Sequence, residues 1–481
     1  MLCYGRKIGR STKQFEYWNE TISFMVDLGL IKNMVIVMME NRSFDHMLGY
    51  LSLPPFSNRV EGLSTDPAWL EQFTNFDQGQ SYQPFLNPNP YDMPADFDPP
   101  HERSNMAANL GQLQNDKYAM NGFVSGIPAN VSTDPAIRKL VMGYFGAIQV
   151  PTNHFFAQNF TICDRWFASL PAGTQPNRLM SMGGFSQIDI NHDILPDQDL
   201  VYDWLTRKGI SWCVYHQGIP FFTMMPRWIP DILGNDHFRS FGKRGEIFES
   251  DLMNTPPDDL PKVIFVEPTY QDAPHLGFAT DDHAPLGVSN GQEFLMQVYN
   301  AVTNSPEFWK RTVMIVDYDE NGGFFDHVSP PIITTAPGPD ADWSDTKSFV
   351  SLGVRTPGYV ISPFVKAGSV SHGLLDHTSV LKFLGEKFGG GFFSADVDSR
   401  SVESLSAALN FDKPISEPPS APALDAYLTP RPLPPNVTVP TANTQLQAGF
   451  QRALDNIKQQ GADQNHPKFG ELLKAVYGAI V

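Results

Sequence analysis

An α/β fold with a mostly parallel central sheet and helices on both faces is predicted by three features of this 481-residue chain. First, five apolar runs have strand length and β-branched content: "MVIVMM" at 34–39, "SWCVYH" at 211–216, "KVIFVE" at 262–267, "TVMIVDY" at 312–318 and "PGYVISP" at 357–363. Second, these runs are continuous rather than alternating, the pattern of strands buried on both faces. Third, helical segments lie between them, "QDLVYDWLTRKG" at 198–209 and "NGQEFLMQVYNAVTNS" at 290–305. Such a sheet places its cleft beyond the C-terminal ends of its strands.

The first run, 34–39, ends abruptly in "ENRSFDHMLGYL". Glu40 and Asn41 therefore emerge at a strand end, while Asp45 and His46 read as residues that fix the turn and the next helix. Residues 52–135, rich in Pro, Asn and Asp, read as a folded excursion over the cleft, and 217–260 as a second insertion shaping it. Within the latter, "GIPFFTMMPRWIPDILG" is either a lipid-facing rim or the underside of a loop packed on the core, the second being the plainer reading. Next comes "SLPAGTQPNRLMSMGG" at 169–184, where Thr174 stands at a helix N-cap position two residues before Pro176. A hydroxyl there sits among unpaired N–H groups that suit an oxyanion, and Arg178, one turn on, can reach the same anion. Taken alone, the pair reads as a capping Thr and a surface Arg.

The run at 312–318 ends in "DENGGFFDHV", delivering Asp319 and Glu320 with glycines behind them. Two strands presenting Glu40, Asn41, Asp319 and Glu320 to one sheet edge would assemble a divalent-cation site. Hard oxygen ligands favour Mg²⁺, Ca²⁺ or Mn²⁺, with Zn²⁺ and Fe open as well. Each segment alone also reads as caps and turn residues. His101, His216 and His283 lie in loops or at a strand end, where imidazoles suit proton transfer; His327 and His377, each after an Asp, read as loop pins. One catalytic domain is expected over 30–400. Over 401–481, a Pro-rich strap at 413–440 and helices near 442–460 and 466–480 are expected to pack on it.

Composition narrows the partners. A formal net charge of −18 argues against a general nucleic-acid binder. Three scattered cysteines with no CxxC pair argue against a disulfide framework or structural zinc site. No run reaches the length of a membrane span, and the N-terminal twenty residues lack an apolar signal core. The expected compartment is cytoplasmic, or secreted or periplasmic if a leader has been removed.

"ENRSFDHMLG", "TQPNR", "DENGGFFDHV" and "GVRTPGYVISP", in that order, resemble the phosphoesterase family of bacterial and plant non-specific phospholipases C and AcpA-type acid phosphatases, from about residue 32 to 390. The resemblance implies an alkaline-phosphatase-like fold and metal-assisted attack on phosphorus by a hydroxyl. It implies Glu40 with Asn41, and Asp319 with Glu320, as two metal-binding pairs, and Thr174 as the nucleophile that also meets the metal. His101, His216 and His283 would line the phosphate pocket, with His283 or His216 protonating the leaving group. Sulfatase chemistry is excluded, because Thr174 stands where a formylglycine precursor would have to be Cys or Ser. The substrate expected is a phosphate ester, with phospholipids among the candidates, and the alternative is an inactive binding protein that keeps the fold. The resemblance also leads one to expect an export signal and C-terminal β domains; neither is legible, which suggests a stand-alone catalytic unit.

Overall fold

The computed structural model describes residues 27–464 apart from 58–59, 90–92, 95–96, 235–236, 275–278, 346, 410–416 and 425–443. Its centre is an eight-stranded sheet. In chain order the strands are β1 (Asn33–Met39), β2 (Thr161–Cys163), β3 (Trp212–His216), β4 (Phe238–Ser240), β5 (Val263–Glu267), β6 (Thr312–Tyr318), β7 (Gly358–Ile361) and β8 (Val370–Ser371). Across the sheet they run β4-β3-β5-β1-β6-β7-β2-β8. All five expected runs form strands. The sheet is parallel except at β7, which pairs antiparallel with both β6 and β2. An apolar run carries no direction, so the reversal at 357–363 was not legible in it.

β1 is flanked on both sides, by β5 and β6, and is buried along almost its whole length. Its register pairs Val37 with Val266 and Met39 with Tyr318. Three strands thus end together, and Glu40, Glu267 and Asp319 leave the sheet at neighbouring points of one edge. Seven helices matter here: α1 (Phe44–Leu48), α2 (Pro151–Asn159), α3 (Thr174–Gly183), α4 (Val201–Arg207), α5 (Ser289–Thr303), α6 (Thr378–Phe388) and α7 (Gln445–Gln464). They bury apolar side chains in the main core, with Phe294, Leu295, Val298 and Val302 of α5 and Val380, Leu381, Phe383 and Leu384 of α6 among them.

The long segment after α1 carries short elements and a satellite core built around Phe97, Leu110, Met120, Phe123 and Val124, closed by Phe325 and Val354. The 218–234 segment faces inward: Phe221, Phe222, Met224, Met225, Trp228 and Ile229 are buried in the main core. It is the core-packed reading of that stretch that the burial supports. Most of the Pro-rich strap and the expected helix at 466–480 lie outside the described residues. Among the described residues no helix is long and apolar enough to cross a membrane.

Candidate functional site

The sheet edge becomes a site because two loops interlock directly beyond it. Asn41 turns the chain at φ 61°, in the left-handed region that Asn tolerates better than most residues. Its N–H donates to Asp319 Oδ1 at 3.2 Å, tying the end of β1 to the end of β6. Asp319 Oδ1 also accepts from the Glu320 N–H at 2.8 Å. Gly322, at φ 60°, lets the second loop pass so close that a Cβ there would lie 2.2 Å from the Asn41 carbonyl oxygen. Behind Asn41, Ser43 caps α1 by accepting from the His46 N–H at 3.1 Å.

α3 brings the hydroxyl. Gly173, not Thr174, is its N-cap; Thr174 is the first helical residue and makes no cap bond. Pro176 is compatible with either register, so the one-residue shift was not readable from it. The consequence is that Thr174 Oγ1 faces the neighbouring loop, donating to Asn41 Oδ1 at 3.4 Å while fully buried. Asn177 staples the approach: its Oδ1 accepts from the Leu170 N–H at 2.9 Å, and its Nδ2 donates to the Ala172 carbonyl at 2.9 Å. At the helix start, the Gln175 N–H is already taken by Asn191 Oδ1 at 2.9 Å, and Pro176 has no N–H to offer.

Arg178 is neither a surface residue nor free to grip a ligand bidentately. It is 4% exposed, with Nη2 3.0 Å from Glu40 Oε1 and Nε 3.2 Å from Asp319 Oδ2. One guanidinium therefore bridges the two carboxylate-bearing strand ends. Its Nη1 donates to the Tyr270 hydroxyl at 3.2 Å.

Two of the three expected histidines converge on Asn41. His283 Nε2 lies 2.8 Å and His101 Nε2 3.3 Å from Asn41 Nδ2. His283 Nδ1 lies 3.4 Å from Glu40 Oε2 and 3.2 Å from Asp272 Oδ2, and His101 Nε2 lies 3.8 Å from Glu320 Oε1. His216 is placed differently. It ends β3, two strands from β1, with Nδ1 2.8 Å from the Gly218 carbonyl oxygen. His327 and His377 pin loops: His327 Nδ1 lies 2.6 Å from Asp45 Oδ2, and His377 Nε2 lies 2.6 Å from the Asp319 carbonyl oxygen.

Three carboxylates of the site were missed in the sequence. Asp98 and Asp281 stand close before His101 and His283, in "DFDPPH" and "TDDH", so an acidic neighbour was a usable signal. Asp272 arrives from a loop with no such local mark. Asp281 also accepts the Glu40 N–H on its carbonyl at 2.7 Å.

Electrostatics follow from this crowding. Burial and the neighbouring Asp319 carboxylate push Glu320 up to about 8, against the opposing pull of His101. Burial and Glu40 push Asp319 up to about 6, against Arg178. Burial alone would depress His101, but Glu320 and Asp98 outweigh it and hold the imidazole at about 9. Asp98 and Asp272 likewise raise His283 against burial. Protonated rings must donate, so in that state the Asn41 amide turns its oxygen toward both imidazoles; with nitrogen toward them, both Nε2 atoms are acceptors.

The residues suit a cation. Both Glu40 oxygens, Glu320 Oε1 and Asp98 Oδ1 are buried without a hydrogen-bond donor, the approaches of Arg178 and His283 to Glu40, of His101 to Glu320 and of both imidazoles to Asp98 being ion pairs outside hydrogen-bond alignment. Glu40, Asp281 and His283 hold ligand atoms within 4.8 Å of one another, and so do Asp98, His101 and His283. Buried orphan oxygens and mutually raised carboxyl pKa values are what a divalent cation relieves. A third such group, Asp45, Asp326 and His327, is already served by Arg355, whose Nη2 and Nε lie 3.1 and 2.9 Å from Asp45 and Asp326.

Comparison with known proteins adds the lineage. Non-specific phospholipase C1 of Arabidopsis thaliana is 32% identical over 376 residues, covering 75% of this chain and 66% of that protein. Non-specific phospholipase C4 of the same plant is 32% identical over 367 residues, covering 71% and 64%. Phospholipase C B of Mycobacterium tuberculosis is 30% identical over 449 residues, covering 82% and 80%. The chain spans just under two thirds of the length of these plant relatives. Among solved structures, a phosphonate monoester hydrolase from Silicibacter pomeroyi matches at 11% identity over 56% of this chain and 72% of that one, with a TM-score of 0.33. A protein of the alkaline phosphatase superfamily from Vibrio parahaemolyticus matches at 10% over 66% and 84%, also at 0.33; both likenesses are too low to inform fold or function. The Phosphoesterase family model, by contrast, matches residues 31–390. That span contains β1, α3, β6 and every residue gathered around Asn41, and the chain belongs to the phosphoesterase family.

Proposed function

We propose that the chain is a phosphoric ester hydrolase that works through Thr174, assisted by a divalent cation, on a phospholipase C-like or acid phosphatase-like substrate. The observation that carries this reading is the meeting of the Thr174 hydroxyl with Asn41, inside a ring of buried, under-satisfied carboxylates contributed by separate segments. The phospholipase C names of the relatives favour a phospholipid or related phosphodiester.

Glu40, Asn41, Thr174, Asp319 and Glu320 are the residues assigned to hold the cation, with Asp281 and His283 within the same reach. A divalent ion there supplies Lewis-acid stabilisation of anionic oxygens near the nucleophile. The chain's own steps are these. Thr174 Oγ gives up its proton to one of the site carboxylates and attacks phosphorus, the bond from phosphorus to the ester oxygen breaks, and a phosphothreonine forms. The departing oxygen takes a proton from His283 or His101, whose charged forms the surrounding carboxylates favour. The same imidazole then accepts a proton from water, whose oxygen attacks phosphorus and releases Thr174 Oγ, which takes its proton back from the carboxylate. Asn41 orients the hydroxyl and both imidazoles, and Arg178 keeps Glu40 and Asp319 aimed at the reacting centre. His216, at the far side of β5, is assigned to the pocket wall.

The test is a substrate panel of p-nitrophenyl phosphate, bis-p-nitrophenyl phosphate and phosphatidylcholine, with and without EDTA and with metal added back. EDTA-sensitive hydrolysis lost in Thr174→Ala is expected. Near-normal hydrolysis by that variant contradicts the nucleophile assignment. No hydrolysis of any ester after metal reconstitution favours a binding protein that keeps the fold.

A further inference from the structure

Arg178 reaches Glu40 and Asp319 from a position that its own surroundings leave partly open. Beside it lies a small cavity of about 50 Å³, lined by Arg178, Ser181, Glu267, Asp317 and His377 together with largely apolar side chains. That is room for more than one water molecule. Two of its lining groups are carboxylates, and Asp317 Oδ1 is buried without a hydrogen-bond partner. An unrestrained guanidinium would have both space and charge to swing back toward Glu267 and Asp317.

The restraint is aromatic, and its rings are anchored on the same Glu267, whose Oε2 accepts from the Phe221 N–H at 2.7 Å. The Arg178 guanidinium carbon sits 4.6 Å from the ring centre of Phe221 and 4.9 Å from that of Tyr270. The two rings are themselves packed edge to face at 5.6 Å. Their outer side is covered by α7. Phe450 stacks on Tyr270 at 5.6 Å and 27°, and meets Phe221 at 5.7 Å and 86°. Phe450 is fully buried, as are Leu454 and Ile457 on the same helix. The approach is close: at Gly449 a Cβ would lie 2.9 Å from Met224 Sδ. The Tyr270 hydroxyl completes the arrangement, accepting from Arg178 and donating to Glu267 Oε2 at 3.3 Å.

We infer that Phe450 of the C-terminal helix is a positioning residue for the reaction, closing an aromatic clamp of Tyr270 and Phe221 that holds Arg178 against Glu40 and Asp319 and out of the cavity behind it. The inference rests on the reading of Glu40 and Asp319 as part of the reacting site. It gives α7 a role beyond surface packing, because loosening the clamp frees the bridge between the two strand ends without touching either strand.

The test uses full-length Phe450→Ala, with Ile457→Ala as an equally buried change further along α7 and Tyr270→Phe as a variant that keeps the ring but removes the hydroxyl. With p-nitrophenyl phosphate, Phe450→Ala is expected to lose kcat about tenfold or more with KM changed less than about threefold, and Ile457→Ala to stay within about twofold. Tyr270→Phe should fall between them. Phe450→Leu, which refills most of the volume without a stacking ring, should recover stability more than kcat. A crystal structure of Phe450→Ala should show Arg178 out of ion-pair range of Glu40 and turned toward Glu267. Wild-type kcat in Phe450→Ala, equal kcat losses in it and Ile457→Ala, or an unmoved Arg178 in the crystal overturns the inference. Absence of turnover in the wild type overturns the hydrolase reading instead, and the crystal structure then decides the clamp by itself. Should Phe450→Ala not fold, the Tyr270→Phe kinetics and structure decide between the same outcomes.

Discussion

Replacing Gly322 by Ala tests how tightly the two strand-end loops are interlocked. A Cβ at Gly322 meets two separate penalties. The first is conformational: at φ 60° an L-residue pays about 1–2 kcal/mol. The second is steric, because the new atom would lie 2.2 Å from the Asn41 carbonyl oxygen and 2.9 Å from its Cβ. Backbone cannot swing aside as a flexible side chain can, and Asn41 is itself held at φ 61° by its bond to Asp319. Overpacking of this kind costs about 1–3 kcal/mol. The stiffer unfolded chain returns about 0.4–1 kcal/mol. The net expectation is a loss of about 2–4 kcal/mol, measured by urea unfolding. Gly79→Ala separates the two terms, since Gly79 has φ 78° with nothing within 4 Å of the added atom. It should lose about 1 kcal/mol or less, the conformational part alone. Because the displaced group is Asn41, Gly322→Ala should also lose turnover, whereas Gly79→Ala should not. If Gly322→Ala matches Gly79→Ala in stability and keeps full activity, the interlocked loops do not set the site.

Three further outcomes follow from the same structure. Arg355 is fully buried between Asp45 and Asp326 and also donates to the Glu61 and Asp164 carbonyls, so Arg355→Met leaves Asp326 without its cation and Asp45 with His327 alone, and should cost about 3–5 kcal/mol by denaturant unfolding; adding Asp45→Asn and Asp326→Asn should return part of it. Burial would raise the Asp376 carboxyl, but Arg400 and Thr378 outweigh it and hold the group below the ordinary carboxylate range. Its contribution is therefore present above about pH 4 and fades as pH falls through the depressed folded value, so the stability gap between wild type and Asp376→Asn should be widest near neutrality and close in acid. Cation binding to the folded state alone should raise the unfolding free energy by about 2.7 kcal/mol at a hundredfold excess over Kd, and EDTA should remove that gain together with activity; an EDTA-insensitive unfolding curve would contradict the cation site.

The strands were the most readable part of this chain. The run at 312–318 became β6 residue for residue, because apolar and β-branched side chains, broken only by Asp317, suit a strand buried on both faces. Glu40, Asn41, Asp319 and Glu320 were readable for the same reason, as the first polar groups after such runs. Lateral order was not: His216 ends a strand as expected, yet stands two strands from β1, a distance no local pattern encodes. Arg178 looked exposed because an Arg on a short amphipathic helix usually is; its burial depends on Glu40, Asp319 and Tyr270 arriving from three other segments. Asp272 and Phe450 were illegible on the same ground. Phe450 acts through Tyr270, far away in sequence, and Asp272 through His283, eleven residues on but in no regular element with it.

The central claim is that Thr174 attacks phosphorus. Its most direct measurement is acid quenching of the metal-loaded enzyme during turnover of p-nitrophenyl phosphate, followed by peptide mass spectrometry of the segment containing "TQPNR". The account predicts one phosphoryl group on Thr174, formed within the first turnover and absent from Thr174→Ala. Steady turnover with that peptide unmodified, or with the phosphoryl group on another residue, would contradict it.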